Sequence, residues 1–127
     1  MKKDSGCPCE SGRTYSECCK RFLDGALADS AEQLMRSRYC AFVCRDENYL
    51  LQSWHPDTRP KKLDMDDPKW IKWTGLRVIS HEPAGDSATV EFVARYKRNG
   101  KAEKIHEKSR FIRLLGRWFY LDGDNID

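Results

Sequence analysis

The chain has 127 residues, a formal net charge of +3, 39% hydrophobic and 34% charged residues. That suits one soluble domain with a small appendage and excludes a disordered or fibrous chain. No stretch approaches the roughly 18 apolar residues of a membrane span, and MKKDSG lacks the apolar core of a signal peptide, so the expected compartment is the reducing cytoplasm.

Four of the six cysteines, Cys7, Cys9, Cys18 and Cys19, fall within CPCESGRTYSECC. In a reducing compartment such a pattern points to metal or catalysis rather than disulfides, and C-x-C followed by C-C lacks the C-x-x-C spacing of thiol-disulfide catalysts. Pro8 holds Cys7 extended, so Cys7 and Cys9 project to one side. Thr14 and Glu17 fit a capping box, which puts Cys18 and Cys19 in the first turns of a short helix, with a turn at Gly12 closing the knuckle. Lys2, Lys3, Arg13, Lys20 and Arg21 offset the negative charge of four thiolates. Such a closed ligand set suits a structural zinc, with free thiols or disulfides as the alternative.

Asp24 to Asp29 is the only plausible joint. Ser30 and Gln33 form a second capping box, opening a helix to about Cys44. Ala31, Leu34, Met35, Tyr39, Ala41 and Phe42 make one apolar arc of it, with Val43 at the margin and Arg38 inside. Cys40 and Cys44 lie opposite, too far apart for a disulfide, and read as partly exposed thiols. Asp46 caps a shorter helix, Asn48 to Trp54, ended by His55-Pro56. Pro56 to Pro68 reads as a surface loop. Strands are expected at Trp70 to Ser80, Ser87 to Lys97, Ile105 to Leu114 and Arg117 to Leu121, separated by Pro83-Ala84-Gly85-Asp86, by the hairpin signal Asn99-Gly100 and by Gly116. Helices followed by four antiparallel strands define an α+β domain, with the helices on one face of a curved sheet.

The cysteine segment resembles the SEC-C motif, the zinc knuckle at the end of the SecA translocation motor that contributes contacts to the chaperone SecB. The usual motif has glycine where this chain has Glu10, so the turn there must accommodate a side chain. AEQLMRSRYCAFVCRDENYLLQSWHPDTR, VEFVARY and SRF…GRWFYLDGD resemble the YchJ-like bacterial family, in which a SEC-C motif precedes a domain of the nuclear-transport-factor-2-like, or cystatin-like, type. The resemblance implies a zinc-binding motif over residues 1–22 and a cone of helices on a curved sheet over residues 28–127, often with an apolar pocket. It implies no particular activity.

For that pocket the residues to inspect are Arg38, Trp54 and His55. A guanidinium in an apolar arc needs a carboxylate such as Glu91, a carbonyl or an anionic ligand. His55, before proline at a helix end, reads as a cap or packed ring rather than a general base. His81 and His106 are expected to be solvated. No catalytic constellation is recognisable, so no catalytic residue is assigned. Residues 95–117 carry basic side chains at 95, 97, 98, 101, 104, 108, 110, 113 and 117 against acids at 103 and 107, interleaved with Tyr96, Phe111 and, just beyond, Trp118. That pattern raises single-stranded nucleic acid as a partner, against the plainer reading of a solvated sheet face. The sequence favours a cytoplasmic zinc-binding adaptor that docks another protein through its knuckle. The alternatives are a small-molecule binder or enzyme using the cone pocket, and nucleic-acid binding.

Overall fold

The computed structural model describes residues 2–63 and 71–126. The expected strand start at Trp70 and the end of the proline-rich loop, residues 64–68, lie outside them. The N-terminal segment folds back on itself through a bridge between Gly6 and Thr14, with Tyr15 N–H donating to the Ser5 carbonyl at 2.8 Å. A 3-10 turn, Tyr15–Glu17, leads into helix α1, Cys19–Leu23. The capping box at Thr14 does not form: the Thr14 backbone is extended, as at an N-cap, but its side chain accepts no backbone N–H of the turn and lies 3.5 Å from the Ser16 hydroxyl instead. Cys18 therefore sits at the break between the turn and α1 rather than inside a helix.

Helix α2, Ala31–Cys44, begins with the Ser30 hydroxyl accepting from Gln33 N–H. The Gln33 side chain reaches one residue further back than in a capping box and accepts from Asp29 N–H. Helix α3, Glu47–Gln52, is capped by the Asp46 carboxylate. It ends two residues before the expected Trp54, since His55 N–H donates to the Tyr120 carbonyl and Tyr120 N–H donates to the Ser53 carbonyl.

The sheet is an antiparallel meander in the order β1-β2-β3-β4, comprising Ile71–Ala84, Ser87–Arg98, Lys101–Leu114 and Arg117–Asn125. Strands run further than the composition suggests because the hairpin turns are only two residues long, as at Asn99-Gly100 with φ of 53° and 80°. Pro83 lies within β1, which tolerates it as an edge strand. Helix α2 packs across the inner sheet face, and Leu34, Met35, Tyr39, Leu76, Val90, Ala94 and Phe111 share one core cluster. That cluster also contains Cys7, Cys9, Tyr15, Cys18, Cys19 and Phe22, so the knuckle and the body share a core.

Candidate metal centre and cavity

Cys7, Cys9, Cys18 and Cys19 are all buried, and their Sγ atoms lie within 4.8 Å of one another. The Cys9–Cys18 and Cys18–Cys19 separations are 3.6 and 3.9 Å. Four sulfurs about 2.3 Å from a common ion form a tetrahedron with edges of about 3.8 Å, so the donor set fits a metal ion with no open position. The four thiols thus constitute a site that can hold a metal. Their protons are unequally shared. Hydrogen bonds first from Cys19 and then from Cys40 hold the Cys7 thiol down to about 6 and hold Cys9 well below the ordinary thiol range. Hydrogen bonding to Cys40, then to Cys7 and Cys9, pushes Cys19 up. Thiolate character on Cys7 and Cys9 is what a cation would draw on.

Cys40 is not partly exposed. It is fully buried, with its sulfur 3.5 Å from that of Cys7. The apolar arc describes only the sheet side of α2, whereas the knuckle covers much of the other side. Arg36 also faces the knuckle, donating to the Cys9 carbonyl at 2.7 Å and to Glu32 at 3.0 Å. Its guanidinium supplies positive charge beside the thiolates, a role the sequence suggested only for residues of the N-terminal segment. The four-residue spacing of Glu32, Arg36 and Cys40 was the available signal for this second face. Cys44 is exposed, its sulfur 3.8 Å from the Tyr15 hydroxyl.

Glu10 has φ of 62°, the left-handed conformation that a glycine would adopt at this place. Its carboxylate accepts from Leu76 N–H on β1 at 2.5 Å. Gly75 makes the approach possible, since a Cβ there would stand 2.9 Å from the Glu10 oxygen.

On the other side of α2, a cavity of about 620 Å³ lies between the helix and the sheet. Arg38 and Trp54 line it and His55 does not. Arg38 is only 6% exposed. Its Nη1 donates to the Leu50 carbonyl and the Ser53 hydroxyl, both at 2.7 Å. The guanidinium carbon lies 4.5 Å from the Tyr120 ring centre and 5.2 Å from that of Trp54. Burial lowers its pKa to about 10, leaving it protonated at neutral pH. Among the described residues no carboxylate lies within ion-pair distance of Arg38. Glu91 points elsewhere, to His106 Nε2 at 2.8 Å. The sequence missed Glu107, Ser109 and Tyr120. All three line the cavity, with the Ser109 and Tyr120 hydroxyls donating to Glu107 Oε2. Glu107 was read only as one of two acids in a basic segment, although strand alternation sends it inward with Ile105 and Ser109.

His55 is buried, its Nδ1 accepting from Asp57 N–H at 3.0 Å and its ring set edge-on to Phe119. His81 and His106 are half-buried rather than solvated, against Glu32 and Glu91 respectively. In the basic segment, Arg110 pairs with Asp122 and Asp124, Arg113 with Asp86, and Arg98 with Glu103. Phe111 and Trp118 are buried and Tyr96 lines the cavity, whereas Arg95, Lys97 and Lys104 are exposed. Those aromatic rings and cations therefore do not form one interleaved groove. No helix among the described residues is long and apolar enough to cross a membrane.

Fold and site together define an α+β cone carrying an N-terminal cluster of four thiols that can hold a metal ion. Residues 30–123 match the family described as YchJ, middle NTF2-like domain, and the chain belongs to this YchJ-like family. It is 49% identical over 132 residues to a UPF0225 protein of Bordetella pertussis, covering 98% of each chain. It is also 49% identical over 127 residues to a UPF0225 protein of Streptomyces coelicolor, covering 95% of this chain and 96% of the relative. The solution structure of a SEC-C motif containing protein from Rhodopseudomonas palustris matches with a TM-score of 0.83 and 35% identity, over 95% of this chain and 98% of that one. The crystal structure of another, from Psychrobacter arcticus, matches with a TM-score of 0.78 and 30% identity, over 94% of this chain and 82% of that one.

Proposed function

We propose that the chain is a cytoplasmic small-molecule-binding protein whose knuckle is a structural zinc clip. The observation that carries this reading is the cavity of about 620 Å³ into which a buried Arg38 is built. That volume lies within the range of ligand sites, and a mostly apolar wall with a few convergent polar groups is their usual composition. Zinc is favoured by four thiolate donors in closed tetrahedral spacing, which leaves no position for a substrate and so assigns the ion to the fold. The neutral fluorophore N-phenyl-1-naphthylamine tests the reading. Its emission should rise saturably at one equivalent per chain and lose this rise in Ile105→Trp, which fills the cavity. Absence of a saturable rise in the wild type would overturn it.

A second reading, an adaptor that docks another protein through the knuckle, is supported by the exposed cations Lys2, Lys3, Arg13 and Arg21 around the metal centre. They suit an acidic partner surface, and such binding would weaken steeply with salt.

A further inference from the structure

Resting on the ligand-binding reading, we infer that the cavity takes a neutral, planar aromatic molecule whose polar end carries a hydrogen-bond acceptor beside a donor, as a primary or cyclic amide does. The acceptor end is set by Arg38. Nη1 spends its donors on Leu50 and Ser53, whereas Nε and Nη2 have no hydrogen-bond partner among the described residues. Yet neither nitrogen is sealed from solvent without a partner, as the Trp54 indole nitrogen is. In a residue 6% exposed that lines the cavity, the cavity is the route by which these donors are reached. A buried guanidinium with unspent donors favours an oxygen acceptor in front of it.

The donor end is set by Glu107. Its Oε2 takes the Ser109 and Tyr120 hydroxyls, while its Oε1 accepts nothing among the described residues. Arg38 and Glu107 therefore offer one cation and one carboxylate to the same space without pairing directly. A ligand carboxylate would gain Arg38 but meet Glu107, and in a low-dielectric cavity that repulsion is not screened. A neutral head that accepts from Arg38 and donates to Glu107 satisfies both. The body of the ligand is set by the rings of Trp54, Trp73, Tyr96, Phe111 and Tyr120, which offer flat apolar walls.

The test is displacement of bound N-phenyl-1-naphthylamine by three probes of one shape: 2-naphthamide, 2-naphthoate and 2-methylnaphthalene. The amide should compete at least about tenfold better than either of the others, the discrimination given by one or two buried hydrogen bonds. Glu107→Gln removes the repulsion while keeping the shape, and should improve 2-naphthoate by about tenfold or more relative to the amide. Arg38→Met should bring the amide down to the level of 2-methylnaphthalene, and Glu107→Gln keeps the idea testable if that variant does not fold. Equal competition by all three probes, a wild-type preference for 2-naphthoate, or an unchanged ratio in Glu107→Gln would overturn the inference while leaving a ligand cavity. If the fluorophore itself does not bind, the ligand-binding reading falls with it.

Discussion

The Glu10 carboxylate accepts a hydrogen bond from the Leu76 backbone across 66 residues of sequence, and so ties the turn of the four-cysteine cluster to the edge strand. Glu10 holds a left-handed backbone conformation, which costs a non-glycine residue roughly 1 to 2 kcal/mol. A charge-assisted hydrogen bond of about 1.5 to 3 kcal/mol is of the size needed to offset that cost. Glu10→Ala keeps the strain and loses the bond, whereas Glu10→Gly loses both. Urea denaturation should show both variants less stable than wild type, with Glu10→Ala the worse by about 1 kcal/mol. Equal midpoints for all three proteins would show that this contact does not contribute to stability.

At the last hairpin, Leu115 and Gly116 have φ of 51° and 78°, matching Asn99 and Gly100 at 53° and 80°. The two turns have the same shape, but Leu115 is fully exposed and has no side-chain oxygen to ease a left-handed backbone. Leu115→Asn should stabilise the protein by about 1 kcal/mol and raise Tm by a few degrees. A lower Tm would contradict the assignment of backbone strain to Leu115.

Arg38→Ala should destabilise the domain by about 2 to 3 kcal/mol, because the Leu50 carbonyl and Ser53 hydroxyl lose a buried donor. This is smaller than the roughly 3 to 5 kcal/mol expected when a buried ion pair loses one partner, since no described carboxylate is left unpaired within ion-pair reach. A denaturant midpoint equal to that of wild type would contradict the role of Arg38 in bracing the end of α3.

A joint at Asp24 to Asp29 implies that the knuckle and the body are separable, with metal removal disordering residues 1 to about 22 alone. The shared core predicts more. Stripping the metal uncovers Cys40 and Phe22 and loosens the Arg36 and Glu10 contacts, so the body itself should lose about 2 kcal/mol and several degrees of Tm. Amide exchange in α2 measured before and after a strong chelator checks this. Unchanged protection of Ala41 and Phe42 would restore the separable picture.

The four clustered cysteines and the amphipathic helix were legible because each is a local pattern: a thiol spacing in one case and a 3.6-residue period in the other. The hairpins were legible for the same reason at Asn99-Gly100. Cys40 was misread because a single apolar arc was taken to mean a helix covered on one side, and only the fold reveals that α2 is sandwiched. Thr14 failed as a cap because its hydroxyl meets the Ser16 hydroxyl rather than a backbone N–H of the short 3-10 turn, a choice that local propensity does not show. Arg38 was recognised as an anomaly in its arc, but the Glu107 facing the same cavity comes from a strand about 70 residues later, and no local rule joins the two.

The most direct test of the account is a backbone amide spectrum of the zinc-loaded protein titrated with N-phenyl-1-naphthylamine. Ligand occupancy of the cone predicts shifts at Ala94, Ile105, Ser109 and Tyr120, whose side chains line the cavity, with the knuckle amides unmoved. Shifts confined to Lys2, Lys3 and Arg13, or no saturable shift anywhere, would contradict it.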